Sequence, residues 1–124
     1  MNMSLSLLLP ACFHLVAYLV GYEALIACEQ ATRLDPNLAT AYNNKGCALN
    51  GLERYHEGLN ACEQAIRLNP NLAYAYNNKG WALNSLRRYQ EALIACEQAI
   101  SLDPKLADAY INLSYTLNCL GHYR

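Results

Sequence analysis

Apolar and small side chains recur at every third or fourth position over residues 75–104, a spacing that is typical of amphipathic helices. The pattern predicts two short helices, residues 72–85 and residues 88–102, which a polar turn joins. Asp103-Pro104 closes the second helix, because a residue that precedes proline is disfavoured in the helical conformation. This stretch therefore predicts one helical hairpin.

The same pattern occurs once before this stretch and in part after it. Residues 38–50 and 54–68 predict the preceding helix pair, and residues 106–120 predict one further first helix. A repeat of this length indicates an array in which each unit contacts its neighbours only. Equivalent residues recur at a period of about 34, namely Tyr42, Tyr76 and Tyr110, Pro36, Pro70 and Pro104, and Cys28, Cys62 and Cys96.

The N-terminal segment, residues 1–21, is apolar and fits the repeat less well. It has no basic residue at its start, as a signal peptide would have, and Pro10 interrupts it. Leu8, Cys12 and Leu15 fall on core positions of the repeat, which favours a degenerate first helix. A membrane or envelope anchor and an unstructured segment stay open as alternatives. Residues 22–124 are then predicted to form the repeat array, with residues 22–34 as a second helix, Asp35 capping the next helix and the last repeat truncated.

Charge and cysteine placement exclude several classes of function. The net charge of −1 and the scattered charges provide no basic face for nucleic acid. The six cysteines include no CxxC motif and no Cys/His cluster at metal spacing, so we expect reduced thiols that pack as small apolar residues. Reduced thiols favour a cytoplasmic location. No phosphate loop or nucleophile motif is present, and we predict no catalytic residue, no metal and no cofactor.

The recurring residues resemble the tetratricopeptide repeat. That resemblance implies an all-α, right-handed solenoid of stacked antiparallel helix pairs. It also implies a concave groove that the first helices line, with extended peptides or partner helices as ligands. The residues that match the family pattern in the clearest copy are Tyr76, Gly80, Leu83, Tyr89, Ala92, Cys96, Ala99 and Pro104.

Asparagines recur on the first helices away from the predicted core. If Tyr76, Gly80 and Leu83 face the core, the asparagines and Trp81 lie largely on another face of the helix, as does Asn84. One amide per repeat could hold the backbone of an extended peptide, since an amide both donates and accepts. This resembles the asparagine ladder of protein O-linked glucosaminyl transferases. The alternative is that the amides bond between neighbouring helices, or are inherited by duplication. The predicted groove residues are Asn43, Asn44, Asn77, Asn78, Trp81, Asn112 and Tyr115.

The resulting prediction is a noncatalytic scaffold for a protein or peptide partner. The competing hypotheses are the substrate-recruiting region of a larger enzyme, such as a glycosyltransferase or kinase, and an envelope-anchored assembly factor. A clamp for acidic peptide termini is disfavoured, because Asn43, Asn77, Tyr74 and Asp108 stand where such a clamp needs Lys or Arg. The apolar face of residues 106–120 has no predicted partner. It indicates a fragment of a longer array, self-association or an exposed helix.

Overall fold

The computed structural model describes the backbone of residues 2–121 and the side chains of residues 15–121. These residues form six helices and no strand, which confirms the all-α fold. Each predicted helix after residue 34 is found with its ends shifted by about one residue, within the usual uncertainty of helix ends. The helices are α1 (Asn2–Leu34), α2 (Ala39–Gly51), α3 (Tyr55–Leu68), α4 (Ala73–Ser85), α5 (Tyr89–Leu102) and α6 (Ala107–Cys119).

The helices stack in chain order as a solenoid. Short turns make α2 and α3 one hairpin and α4 and α5 the next, while α6 repeats the position of a first helix. Each helix contacts the next along the chain, and each first helix also contacts the following first helix. The first helices α2, α4 and α6 therefore lie side by side in one layer, and the second helices form the other.

Glycines permit the close approach of the two helices in each hairpin. A Cβ atom on Gly46 would lie 2.5 Å from Sγ of Cys62 and 3.2 Å from the carbonyl oxygen of Gly58. A Cβ atom on Gly80 would lie 2.9 Å from Sγ of Cys96. This close approach explains why glycine occurs inside these helices, and both cysteines are fully buried in the contact.

The N-terminal half of α1 differs from the prediction. The repeat register predicts a helix break near residue 21, but α1 continues without one from Asn2 to Leu34. Residues 17–24 contain no Pro, Asp or Asn that would start a turn. Gly21 has a packing role instead, because a Cβ atom there would lie 2.9 Å from Cδ2 of Leu52. The division of the chain into residues 1–21 and 22–124 stays a prediction, and the side chains of Leu8 and Cys12 lie outside the described residues.

The turns between the repeats also differ in detail. Asp35 was expected to cap α2, but the residue at the N-cap is Leu38 and no side chain caps the helix. The Asp35 carboxylate instead accepts a hydrogen bond of 3.1 Å from the backbone N–H of Asn37. Asn69 and Asp103 accept the equivalent bonds in the next two turns. The polar residue before each proline therefore stabilises the turn itself.

Candidate functional site

A row of asparagine amides connects the three first helices. The Asn78 side-chain amide of α4 donates a 2.9 Å hydrogen bond to Oδ1 of Asn43 in α2. One repeat later, the Asn112 amide of α6 donates to Oδ1 of Asn77 at 2.7 Å and to its backbone carbonyl at 3.3 Å. The amides are therefore partners of one another between neighbouring helices.

A second row of asparagines lies deeper between the helices. Asn50 is 1 % exposed and donates a 2.9 Å hydrogen bond to the backbone carbonyl of Asn78. Asn84 is 5 % exposed and lies 3.5 Å from the carbonyl of Asn112 in the same geometry. The prediction that Asn84 lies away from the core is wrong, because the following first helix covers this position of the helix.

The two deep amides differ in one partner. The Thr116 hydroxyl lies 2.9 Å from Oδ1 of Asn84 and 2.7 Å from the backbone carbonyl oxygen of Asn112, and its single proton can be donated to either oxygen. Ala82 stands one period before Thr116 and offers no hydroxyl to Asn50. The Oδ1 atom of Asn50 is consequently a buried oxygen without a hydrogen-bond partner, a condition that lowers stability.

Several side chains of the first helices form a surface that is exposed or half-buried. We call this the first-helix surface, and it contains Asn44, Tyr74, Trp81, Ile111 and Tyr115 at helical spacing. Tyr115 is 52 % exposed and Trp81 is half-buried. The predicted site residues thus separate into exposed Asn44 and Tyr115, half-buried Asn43, Asn112 and Trp81, and buried Asn77 and Asn78. Tyr74 and Ile111 extend the surface beyond the residues that the sequence selected.

The first-helix surface lacks positive charge. In α2, α4 and α6 the cationic side chains are Lys45 and Lys79. Both lie away from the amides, since each lines a cleft against the second helices. The larger cleft has a volume of about 620 Å³ and contains Lys79 and Arg88 together with Glu63 and Glu91.

The described cysteines form neither disulfides nor a metal site. Cys28, Cys47, Cys62, Cys96 and Cys119 are free thiols. Burial raises the pKa of the Cys62 thiol to about 12, so it stays protonated and packs as an apolar group. No cluster of three or more possible metal ligands occurs within the described residues. No described helix is long and apolar enough to cross a membrane.

A stack of helical hairpins with polar contacts between its first helices defines a helical-repeat protein. Residues 39–72 and 73–106 each match the tetratricopeptide repeat, and residues 95–124 match a second profile of that repeat. The chain belongs to the tetratricopeptide repeat family. A search of curated proteins finds no significant match.

Several solved structures are similar over most of the chain, and two of the three described here are tetratricopeptide domains. The first such domain of human RPAP3 is 22 % identical with a TM-score of 0.76, covering 87 % of this chain and 92 % of that one. The second domain of human RPAP3, in complex with an HSP70 peptide, is 25 % identical with a TM-score of 0.72 and coverages of 77 % and 80 %. MamA protein is 27 % identical with a TM-score of 0.74, covering 82 % of this chain and 55 % of that one.

Proposed function

We propose that this chain is a noncatalytic scaffold that binds an extended peptide or partner helix in a concave groove along α2, α4 and α6. The observation that carries the proposal is the amide row, which crosses all three helices beside the exposed aromatic rings of the first-helix surface. Membership of the tetratricopeptide repeat family supports it, and the second RPAP3 domain holds an HSP70 peptide in its solved complex.

The amide row keeps part of its hydrogen-bonding capacity. A side-chain amide has two N–H donors and a carbonyl acceptor. The bond between helices uses one N–H of Asn78, whose second N–H and Oδ1 atom have no partner among the described residues. Asn112 uses its N–H groups in two bonds to Asn77 and keeps only its Oδ1 atom without a partner there. A peptide backbone offers complementary N–H and C=O groups at regular intervals. Bonding between helices and peptide binding are therefore compatible roles for the same side chains.

The charge of the surface favours one class of peptide. Trp81, Tyr74 and Tyr115 provide aromatic contact area, which is enriched at interfaces. The lysines of the first helices line the opposite clefts, so no cation of α2, α4 or α6 lies beside the amides. We therefore expect an uncharged segment with apolar or aromatic side chains, and not a peptide that is bound by an acidic C-terminus.

Binding measurements on peptides selected from a displayed library test the proposal. Asn44→Ala removes an exposed amide that has no hydrogen bond to a neighbouring first helix among the described residues, so it should weaken binding without altering unfolding. A lost hydrogen bond costs about 1 kcal/mol, which corresponds to a several-fold weaker Kd. Trp81→Ala should weaken binding at least as much, because it removes a large contact area.

Asn60→Ala is the matched control, since Asn60 is also an exposed asparagine but lies on the second helix α3. It should leave the Kd unchanged. The groove is refuted if Asn44→Ala and Trp81→Ala bind the selected peptides as the wild type does. Asn78→Ala is less informative because it also removes the 2.9 Å bond to Asn43 and should lower stability.

The second candidate is a substrate-recruiting region of a larger enzyme, such as a glycosyltransferase or kinase. The amide row supports this candidate only through its likeness to the asparagine ladder of protein O-linked glucosaminyl transferases. A catalytic domain in a longer reading frame would establish this second candidate. We further propose a cytoplasmic location, with an anchor through residues 1–21 as the alternative. Fractionation of cells that produce the protein, with and without residues 1–21, distinguishes these two.

A further inference from the structure

The helix α1 occupies the position of a second helix, and no first helix precedes it among the described residues. Leu25 and Cys28 stand one period before Leu59 and Cys62 of α3. Within the described residues, α1 contacts α2 and no other helix. The second helices α3 and α5 each pack between two first helices, so α1 lacks one of these contacts.

Four small side chains mark where that contact would form. We call Ala24, Ala27, Cys28 and Ala31 the docking face of α1. Ala24 and Ala27 are exposed, while Cys28 and Ala31 are half-buried. The residues at the same repeat positions in α3 and α5 are all buried, namely Gly58, Ala61, Cys62 and Ala65, and Ala92, Ala95, Cys96 and Ala99.

The last helix presents the opposite half of the same contact. We call Ser114, Leu117 and Asn118 the docking face of α6. Ser114 and Asn118 are exposed and Leu117 is half-buried. The residues at the same repeat positions in α2 and α4 are all buried, namely Gly46, Leu49 and Asn50, and Gly80, Leu83 and Asn84.

The apolar core of the last repeat is therefore half complete. In the repeat before it, Leu83 packs against Leu59 of the preceding second helix and against Ala92 and Ala95 of its own. The last repeat contains the equivalents of the two leucines, Leu93 and Leu117, and both are only half-buried. The equivalents of the two alanines are Ala24 and Ala27, at the other end of the chain.

We propose that copies of this chain associate head to tail, with α6 of one copy docked on α1 of the next. The two helices would form a complete pair with the packing of α2 on α3 and of α4 on α5. Because the two docking faces are different surfaces, each copy leaves one of them open for a further copy. Such a heterologous contact generates a ring or an open filament of several copies and does not stop at a dimer.

The polar contacts between repeats continue across this junction. Within the chain, Asn50 and Asn84 point at the backbone carbonyls of Asn78 and Asn112 in the following first helix. The next member of that series is Asn118, and its acceptor is the carbonyl of Asn44 in the next copy. Asn118 and Asn44 are both exposed, as we expect of residues at the two ends of the series whose partners lie in other copies.

The tightest point of the junction is the contact between Ser114 and Cys28. At the equivalent positions, a Cβ atom would lie 2.5 Å or 2.9 Å from the cysteine sulfur. Ser114 has such an atom, so the helices must separate slightly more than they do within the chain. Ser114→Gly should consequently strengthen association several-fold.

This proximity permits a specific cross-linking experiment. In a Cys12→Ser, Cys47→Ser, Cys119→Ser background, Ser114→Cys places a thiol opposite Cys28 of the next copy. Mild oxidation should then produce a ladder of dimers, trimers and higher species on a non-reducing gel. Adding Cys28→Ser should abolish the ladder, since Cys62 and Cys96 are buried.

Sedimentation of the reduced 124-residue chain measures the same contact without a cross-link. Ala27→Glu buries an unpaired charge at the junction and should weaken association at least tenfold, while the exposed position preserves folding. Ile94→Glu is the matched control, because Ile94 is 69 % exposed on α5 and lies outside both docking faces. It should associate as the wild type does.

Three results would overturn the proposal. The first is a monomer at all concentrations, with no ladder after oxidation. The second is a ladder that persists after Cys28→Ser. The third is a cross-linked product that stops at the dimer, which would indicate contact between two α6 helices.

Discussion

The contact between Gly46 and Cys62 predicts a coupling free energy that a double-mutant cycle can measure. Gly46→Ala has two opposed effects. Alanine is a better helix former than glycine by about 1 kcal/mol. However, its Cβ atom would lie 2.5 Å from Sγ of Cys62, a distance at which the helices must separate. Overpacking of this kind costs about 1–3 kcal/mol, so the net effect should be a loss of about 1 kcal/mol.

Removing the sulfur should reverse that sign. In a Cys62→Ala background the nearest obstacle to the new Cβ atom is the Gly58 carbonyl oxygen at 3.2 Å, a tight contact that a shift of a few tenths of an ångström relieves. The helix propensity of alanine should then dominate, and Gly46→Ala should be neutral or stabilising by up to about 1 kcal/mol. The coupling free energy between the two substitutions is therefore expected to be about 1–2 kcal/mol.

Urea unfolding followed by far-UV circular dichroism provides the four free energies of the cycle, provided that the m-value stays constant. Gly80→Ala is the internal comparison. Its Cβ atom would lie 2.9 Å from Cys96 Sγ and 3.8 Å from the nearest backbone oxygen, so it should be less destabilising than Gly46→Ala. Equal losses from Gly46→Ala with and without the Cys62 sulfur would refute this account of the close approach.

Two further substitutions test individual residues against their own equivalents one repeat later. Ala82→Ser places a hydroxyl beside the unpaired Oδ1 of Asn50, as Thr116 does for Asn84, and should raise the free energy of unfolding by about 1 kcal/mol. A lower urea midpoint for Ala82→Ser would mean that the serine overpacks this site. Arg87→Gly should also stabilise the chain, because Arg87 has a φ of 63° where the equivalent residue is Gly121 with a φ of 73°. The gain should be about 1 kcal/mol, whereas the control Arg88→Gly, at a φ of −96°, should lower stability.

The helices and their stacking could be predicted from the sequence because each repeat contains the same residues at its helix ends and close contacts. Prolines at the ends, glycines at the close contacts and a constant period determine both the helix ends and the order of packing. Residues 1–21 lack this regular pattern. Leu8, Cys12 and Leu15 fit the repeat register, but the register alone does not indicate a turn, and α1 continues through the place where one was expected. The expectation of a core position is wrong for Leu15, which is 59 % exposed.

The asparagines show a different limit of sequence reasoning. Helical spacing gives the direction of Asn77, Asn78 and Asn84 relative to the core residues of their own helix. It does not show that the following first helix lies on that side of α4 and buries Asn84. The hydrogen bonds between amides depend on the spacing of the first helices, a tertiary property. The difference between Ala82 and Thr116 is visible in the sequence, but its meaning requires the position of the Asn50 oxygen.

The amide row also determines how the solenoid can bend. Directional hydrogen bonds join the first helices, whereas residues of the second helices α3 and α5 line a shared open cleft of about 620 Å³. A force that changes the curvature of the array therefore meets different resistance in its two layers. The polar layer should keep its length while the second helices move apart or together. The solenoid would then bend mainly through changes in the spacing of its second helices. Substitution of Asn78 or Asn112 would alter its bending stiffness without altering the apolar core.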